Sequence, residues 1–179
     1  MNVLPQRQIH LDFHTSECIE GIGSKFDKKQ FQNCLKKGHV NSITVFAKCH
    51  HGWAYFPSET NEIHPHLNFD LLGEMLEACK EIGVAAPVYL SAGVDMKYLV
   101  EHPETAAKDW EGNPHLEVLE EENGHKYFSV AGFRRICFNS PYLQVMEAQV
   151  KEVVEKYHPV GIFLDIVSPQ KCYCKYCKI

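Results

Sequence analysis

The chain has 179 residues, 45% of them hydrophobic, enough to bury the core of one ordinary domain. Charged residues make up 23%, the net charge is −5, and Lys and Arg form no cluster, which argues against nucleic acid as a partner. No apolar run approaches the roughly 20 residues of a membrane span, and the start, "MNVLPQRQIH", lacks a charged leader before an apolar block, so the cytoplasm is the expected compartment.

The first element, "RQIHLDFHTS", reads as a short strand with polar residues at its end. In "DKKQFQNCLKKGHV", Asp27 is an N-cap, Phe31, Cys34 and Leu35 give helical spacing, and Gly38 ends the helix. "NSITVFAKCHHGW" is a second strand through Ile43, Val45 and Phe46 that then turns polar. The clearest helix is "NFDLLGEMLEACKEIGV", with Leu71, Leu72, Met75, Leu76, Cys79 and Ile82 on one face and Gly83 at its end. "AAPVYLSAG" is a third strand. An insertion at about 95–138 follows, with a short helical piece, a "WEGNP" turn and a hairpin about Asn123-Gly124. Ser140 and Pro141 open the last helix as N-cap and first residue, and Met146, Val150, Val153, Val154 and Tyr157 line its apolar face. "VGIFLDIV" is the fourth strand.

Strands alternating with helices imply parallel pairing through right-handed crossovers, an α/β fold whose functional groups gather at the C-terminal strand ends. Those ends carry Asp12 and His14, then His50, His51, Trp53 and Tyr55, then Asp165. No glycine-rich loop follows a strand, which disfavours a dinucleotide site.

Of the eight cysteines, Cys34 and Cys79 read as buried core thiols on helix faces. Cys172, Cys174 and Cys177 lie within six residues, a spacing that suits a tetrahedral soft metal, most naturally zinc. Cys137, in the loop before the last helix, is the candidate fourth ligand. Four thiolates leave no open position, so that zinc would be structural. Lys48, His50, His51, Trp53 and Tyr55 combine imidazoles that bond hydroxyls with aromatic faces that cover a sugar ring. Asp165 ends an apolar strand and fits a nucleophile at an anomeric carbon. Such a reaction needs a second carboxylate as acid/base, and Glu17, Glu59 and Glu117 are available, with nothing to select among them. His10, Asp12 and His14 admit a rival, a metal-dependent hydrolase with all three on one strand face. A second rival is a non-catalytic, carbohydrate-binding half-barrel that pairs with itself.

"IHLDFHTSE", "ITVFAKCHHGWAYFPSE", "HPHLNFDLLGEMLEACKEIGV" and "GIFLDIV" resemble the N-terminal part of a hypothetical glycosyl hydrolase family among the TIM-barrel glycosidases. "AKCHHGWAYFPSE" is also similar to the double-histidine segment of α-L-fucosidases, glycoside hydrolase family 29, which reads roughly A-K-H-H-D-G-F. That resemblance implies that His50 and His51 contact sugar hydroxyls, and that Asp165 stands where the fucosidase nucleophile stands. Gly52 follows His51 directly, so the aspartate of the fucosidase motif is absent. "RRICFNSPY" and "CYCKYC" resemble the zinc segment of the family 42 β-galactosidases, which implies Cys137, Cys172, Cys174 and Cys177 as a ligand set. That family uses glutamates as its catalytic pair, one of them after strand four, so the resemblance carries over for the metal only.

The expectation is thus the first four β/α units of a (β/α)8 TIM-type barrel, a retaining glycosidase of α-L-fucosidase or β-galactosidase type acting on a carbohydrate. Asp165 is its nucleophile, and His10, His14, His50, His51, Trp53 and Tyr55 are its sugar contacts. A complete barrel of this type needs about 250 residues. The half alone would expose two sheet edges, be inactive by itself and be prone to homo-oligomerise.

Overall fold

The structure, a computed structural model, describes residues 5–114, 119–122, 125–128, 132–167 and 171–177. In chain order the elements are β1 (Gln8–His10), α1 (Lys28–Lys37), β2 (Ser42–Lys48), α2 (Leu71–Glu81), β3 (Val88–Ser91), α3 (Met96–Glu101), a 3₁₀ turn (Pro103–Thr105), β4 (Leu119–Glu122), β5 (His125–Phe128), α4 (Tyr142–Tyr157) and β6 (Ile162–Asp165). The main sheet has four strands in the order β1-β2-β3-β6, every neighbouring pair parallel. This is the half-barrel sheet of a TIM-type fold. β4 and β5 pair antiparallel, Glu122 opposite His125, and the Asn123-Gly124 turn expected between them lies outside the described residues.

The helices form where their caps and spacing require. Asp27 accepts from the Gln30 amide at the head of α1, Asp70 from the Gly73 amide at the head of α2, and Asp95 from the Tyr98 amide at the head of α3. Helix α4 begins one residue later than Ser140-Pro141 suggested. The Ser140 hydroxyl donates to the Cys137 carbonyl at 2.6 Å while its oxygen accepts the Tyr142 amide at 3.3 Å, so Ser140 still caps the start of the helix. Leu72, Cys79, Val45, Val88, Tyr142 and Val153 belong to one continuous core between sheet and helices. Cys79 joins that core, whereas Cys34 is exposed, a correction to its expected burial, because Leu35 is the residue that α1 turns inward.

β2 is buried at every position, as a central parallel strand should be. Its register shifts between Phe46 and Lys48. Phe46 therefore faces inward, stacked on Tyr89 with ring centroids 3.7 Å apart, while Lys48 turns to the helix side and reaches Asp95 and Tyr142. β6 is at the opposite edge from β1, and its Phe163 and Leu164 are 44% and 41% exposed.

Candidate active site

Asp165 is the last residue of β6. Its Oδ2 accepts the Tyr89 hydroxyl at 2.7 Å, and its Oδ1 accepts the Ile166 amide at 2.9 Å. Both carboxylate oxygens are thus held and the carboxylate plane is fixed. Burial and the neighbouring Asp165 carboxylate push the Tyr89 phenol well above its ordinary value, so it stays a donor. The turn that carries Asp165 rests on Gly93, where an added Cβ would meet the Ile166 carbonyl oxygen at 1.9 Å. Only glycine leaves room for that approach.

His10 of β1 packs on Phe46, Tyr89 and Phe163, with centroids 5.3 to 5.5 Å away. Above that aromatic layer lie His14 and His50, stacked at 3.9 Å. Their hydrogen bonds fix their tautomers. The His50 amide donates to His14 Nδ1 at 3.1 Å, which leaves the His14 proton on Nε2, facing Asp12 Oδ1 at 2.9 Å. The Ser91 hydroxyl donates to the Val94 carbonyl at 2.5 Å, so its oxygen receives the Nδ1 proton of His50 at 2.6 Å. His50 Nε2 is then a bare acceptor, 3.8 Å from Asp165 Oδ2. Burial, with His14 adding to it, pushes His50 down to about 4, and burial also lowers His14 and His51. The mouth therefore offers neutral imidazoles beside the carboxylates of Asp12 and Asp165.

The double-histidine peptide is clamped from outside the sheet. The Met96 and Lys97 amides, at the head of α3, donate to the His50 and His51 carbonyls at 3.0 and 3.1 Å. Gly52 follows at φ +97°, its Cα against Asp95, and a Cβ there would fall 2.2 Å from Asp95 Oδ1. Asp95 itself is buried and held by Lys48 Nζ at 2.9 Å. Lys48 thus supports the site through Asp95 rather than entering it. Nothing in a linear sequence marks the bulge that turns it away.

The expected sugar contacts divide. His10, His14 and His50 gather around the inner aromatic layer below Asp165. His51 lies edge-on to Phe133, whose ring also meets His14 and His50. Trp53 stands farther out, its indole N–H 3.4 Å from Glu17 and Lys97 over its face. Tyr55 is corrected: it is 0% exposed, its hydroxyl bonded to Thr15 at 2.7 Å and its ring packed on Phe13 and His64, so it has no face for a sugar. Phe133, Tyr89 and Ser91 escaped the sequence reading. Tyr89 and Ser91 were legible as alternate positions on the third strand.

Of the carboxylates considered as acid/base, Glu17 is pulled below its ordinary value, chiefly by its own backbone amide, which suits an anion better than an acid. Glu59 sits beside α4, its amide bonded to Glu152 at 2.6 Å. Glu117 lies outside the described residues. β1 ends at His10, so Asp12 and His14 leave the strand instead of alternating along it. The metal reading of His10, Asp12 and His14 loses its geometry there. Among the described residues, Cys137, Cys172, Cys174 and Cys177 are the group close enough to share an ion, with ligand atoms all within 4.8 Å of one another. Sulfurs of Cys137 and Cys177 are 3.3 Å apart, and Asn139 Nδ2 donates to Cys177 at 3.2 Å. All eight cysteines are free of disulfides. Among the described residues no helix is long and apolar enough to cross a membrane.

A parallel half-barrel with its polar groups at the strand ends is the architecture of the TIM-barrel glycoside hydrolases. Residues 27–166 match the family described as hypothetical glycosyl hydrolase 6, and the chain belongs to that family. No curated protein matches it. Among solved structures it is similar to α-L-fucosidase isoenzyme 2 of Paenibacillus thiaminolyticus, at 53% identity and a TM-score of 0.86, over 97% of this chain and 25% of that one. An α-fucosidase of Thermotoga maritima shares the fold at 21% identity and a TM-score of 0.57, over 83% of this chain and 30% of that one. A hypothetical protein of Ruminiclostridium thermocellum does so at 14% and 0.57, over 80% of this chain and 71% of that one. The chain therefore spans about a quarter to a third of the length of the fucosidases it matches.

Proposed function

We propose that the chain forms the nucleophile-bearing first half of a retaining glycosidase barrel that acts on an α-L-fucoside. The observation that carries this is the carboxylate of Asp165, anchored through both oxygens at the end of β6 beside the neutral pair His14 and His50. The 53% identity to a fucosidase supports fucose over galactose as the sugar.

In the first step an Asp165 oxygen bonds to the anomeric carbon, and the bond to the leaving-group oxygen breaks as an acid elsewhere in the barrel protonates that oxygen. Water then displaces Asp165. The chain's own part is to hold the carboxylate and read the hydroxyls. His50 Nε2 accepts a hydroxyl proton, while His14, its Nε2–H donating to Asp12 Oδ1, stacks on His50 and holds that ring in place. His10 and His51 flank them.

The tetrad of Cys137, Cys172, Cys174 and Cys177 would hold zinc with all four positions filled, so the metal supports the loop after β6 and performs no chemistry.

The test is covalent trapping. The complete polypeptide is incubated with a 2-fluoro-α-L-fucosyl fluoride, and its peptides are weighed. An adduct on the peptide containing Asp165 is expected, together with a loss of turnover by orders of magnitude in Asp165→Asn at unchanged circular dichroism. Turnover retained by Asp165→Asn sinks the nucleophile assignment.

A further inference from the structure

Beside the mouth lies a second cleft of about 470 Å³, separated from it by Phe133 and His51. We propose that this cleft is the subsite for the leaving group and takes a neutral sugar while rejecting an anionic one. The proposal rests on the glycosidase reading, because a glycoside held at Asp165 must extend its second half outward from the mouth.

Three observations point to a sugar. The walls combine apolar rings, Phe133 and Trp53, with polar groups, as a ring bearing C–H faces and hydroxyls requires. The wall is continuous with the mouth, since the Phe133 ring meets His50 on one side, at 5.1 Å, and His51 at 5.2 Å. The polar groups are also held in place: the Trp53 indole N–H points to Glu17, and Lys97 is tied to Glu62 at 3.1 Å and Glu101 at 3.5 Å.

Charge then selects among sugars. The described residues bring three carboxylates to the cleft, Glu17, Glu62 and Glu101, against the one ammonium of Lys97. Lys97 is shared between Glu62 and Glu101, and among the described residues Glu17 is met by the Trp53 indole N–H and by no ion-pairing cation. His51 adds no positive charge at neutral pH, being buried enough to stay neutral. A carboxylate or sulfate on the leaving sugar would meet net repulsion, whereas hydroxyls find acceptors.

The experiment reads binding and needs no turnover. The complete polypeptide is labelled with 5-fluorotryptophan, and the Trp53 fluorine signal is assigned by its loss in Trp53→Phe. Cellobiose, a neutral disaccharide, is expected to shift that signal saturably. Cellobiouronic acid, the same disaccharide with one carboxylate, is expected to bind at least tenfold more weakly at low salt, with the gap narrowing as salt rises. Glu17→Gln should recover most of the acid's affinity. No shift with cellobiose overturns the subsite, and equal shifts with both sugars overturn its selectivity. If Asp165→Asn instead keeps its turnover while the Trp53 shifts persist, the nucleophile reading fails and the subsite stands.

Discussion

Burial holds folded His50 at about 4 against an ordinary 6.5, so between these values the unfolded chain binds a proton that the folded chain refuses. The resulting stability is complete above about pH 6.5 and is lost as pH falls toward 4. It is worth on the order of 3 kcal/mol, with Asp165 and Asp12 opposing the burial and His14 and His51 reinforcing it. Urea midpoints measured across that window should fall on acidification, and His50→Asn should flatten the slope; an unchanged slope would show that another group controls it. Tyr89 offers a second test. Tyr89→Phe keeps the stack on Phe46 and removes only the bond to Asp165, so kcat/KM should drop about 10- to 100-fold, as for a lost bond to a charged group. Equal rates would mean that the Ile166 amide alone suffices. Tyr55 shows why a strand-end aromatic is hard to place from sequence. An aromatic two residues beyond His-Gly-Trp fits a sugar platform and a core plug equally well, and only the packing of Phe13 and His64 decides.

At the scale of elements, the support of the double-histidine peptide is a chain of dependent contacts: Lys48 of β2 holds Asp95, Asp95 caps α3, and the first amides of α3 hold the His50 and His51 carbonyls. Asp95→Ala removes the cap and leaves a buried lysine unpaired, so it should destabilise by about 3–5 kcal/mol in denaturant titrations. Lys48→Met combined with Asp95→Asn removes the buried charge and should restore a large part of that loss; if the double variant is as unstable as Asp95→Ala, the ion pair is not the source. The helices were legible because Asp27, Gly38 and Gly83 mark their ends and apolar spacing marks their faces. The clamp was not. Backbone bonds from α3 to a peptide some 45 residues earlier leave no trace in residue types, and neither does a one-residue bulge at the end of β2. Asp165 was legible because β6 is short and apolar up to it. Its hold on Tyr89 depends on the pairing of Ser91 with Asp165 across two strands, which only the register supplies.

For the whole molecule, β1 and β6 are the sheet's outer strands, and Leu164 and Val167 are 41% and 54% exposed beside Leu143 and Val154 of α4, each 42% exposed. Parallel edges that pair with no further strand among the described residues, next to apolar surface, invite association. The 179-residue polypeptide by itself should therefore sediment as concentration-dependent oligomers; a strictly monomeric profile at high concentration would show that the edges are protected. The cysteine tetrad makes a separate prediction. Protein purified without chelator should carry one zinc per chain, and Cys174→Ser or a strong chelator should remove it and lower the melting temperature, without that zinc entering the rate law. The cysteine spacing announced three of these sulfurs, and the loop position of Cys137 before the last helix marked it as the candidate fourth, which the fold brings beside them.

That placement has a consequence in time. Cys137 and Cys177, 40 residues apart along the chain, lie on either side of α4 and β6. A chain is made from its N-terminus, so Cys137 leaves the ribosome first and waits while the helix and the strand bearing Asp165 are synthesised. The tetrad can close only after the last of its thiols has emerged and the strand has docked. A metal captured there would act as an assembly checkpoint, retained by chains whose Asp165-bearing strand is in place and withheld from nascent chains that stop short of it.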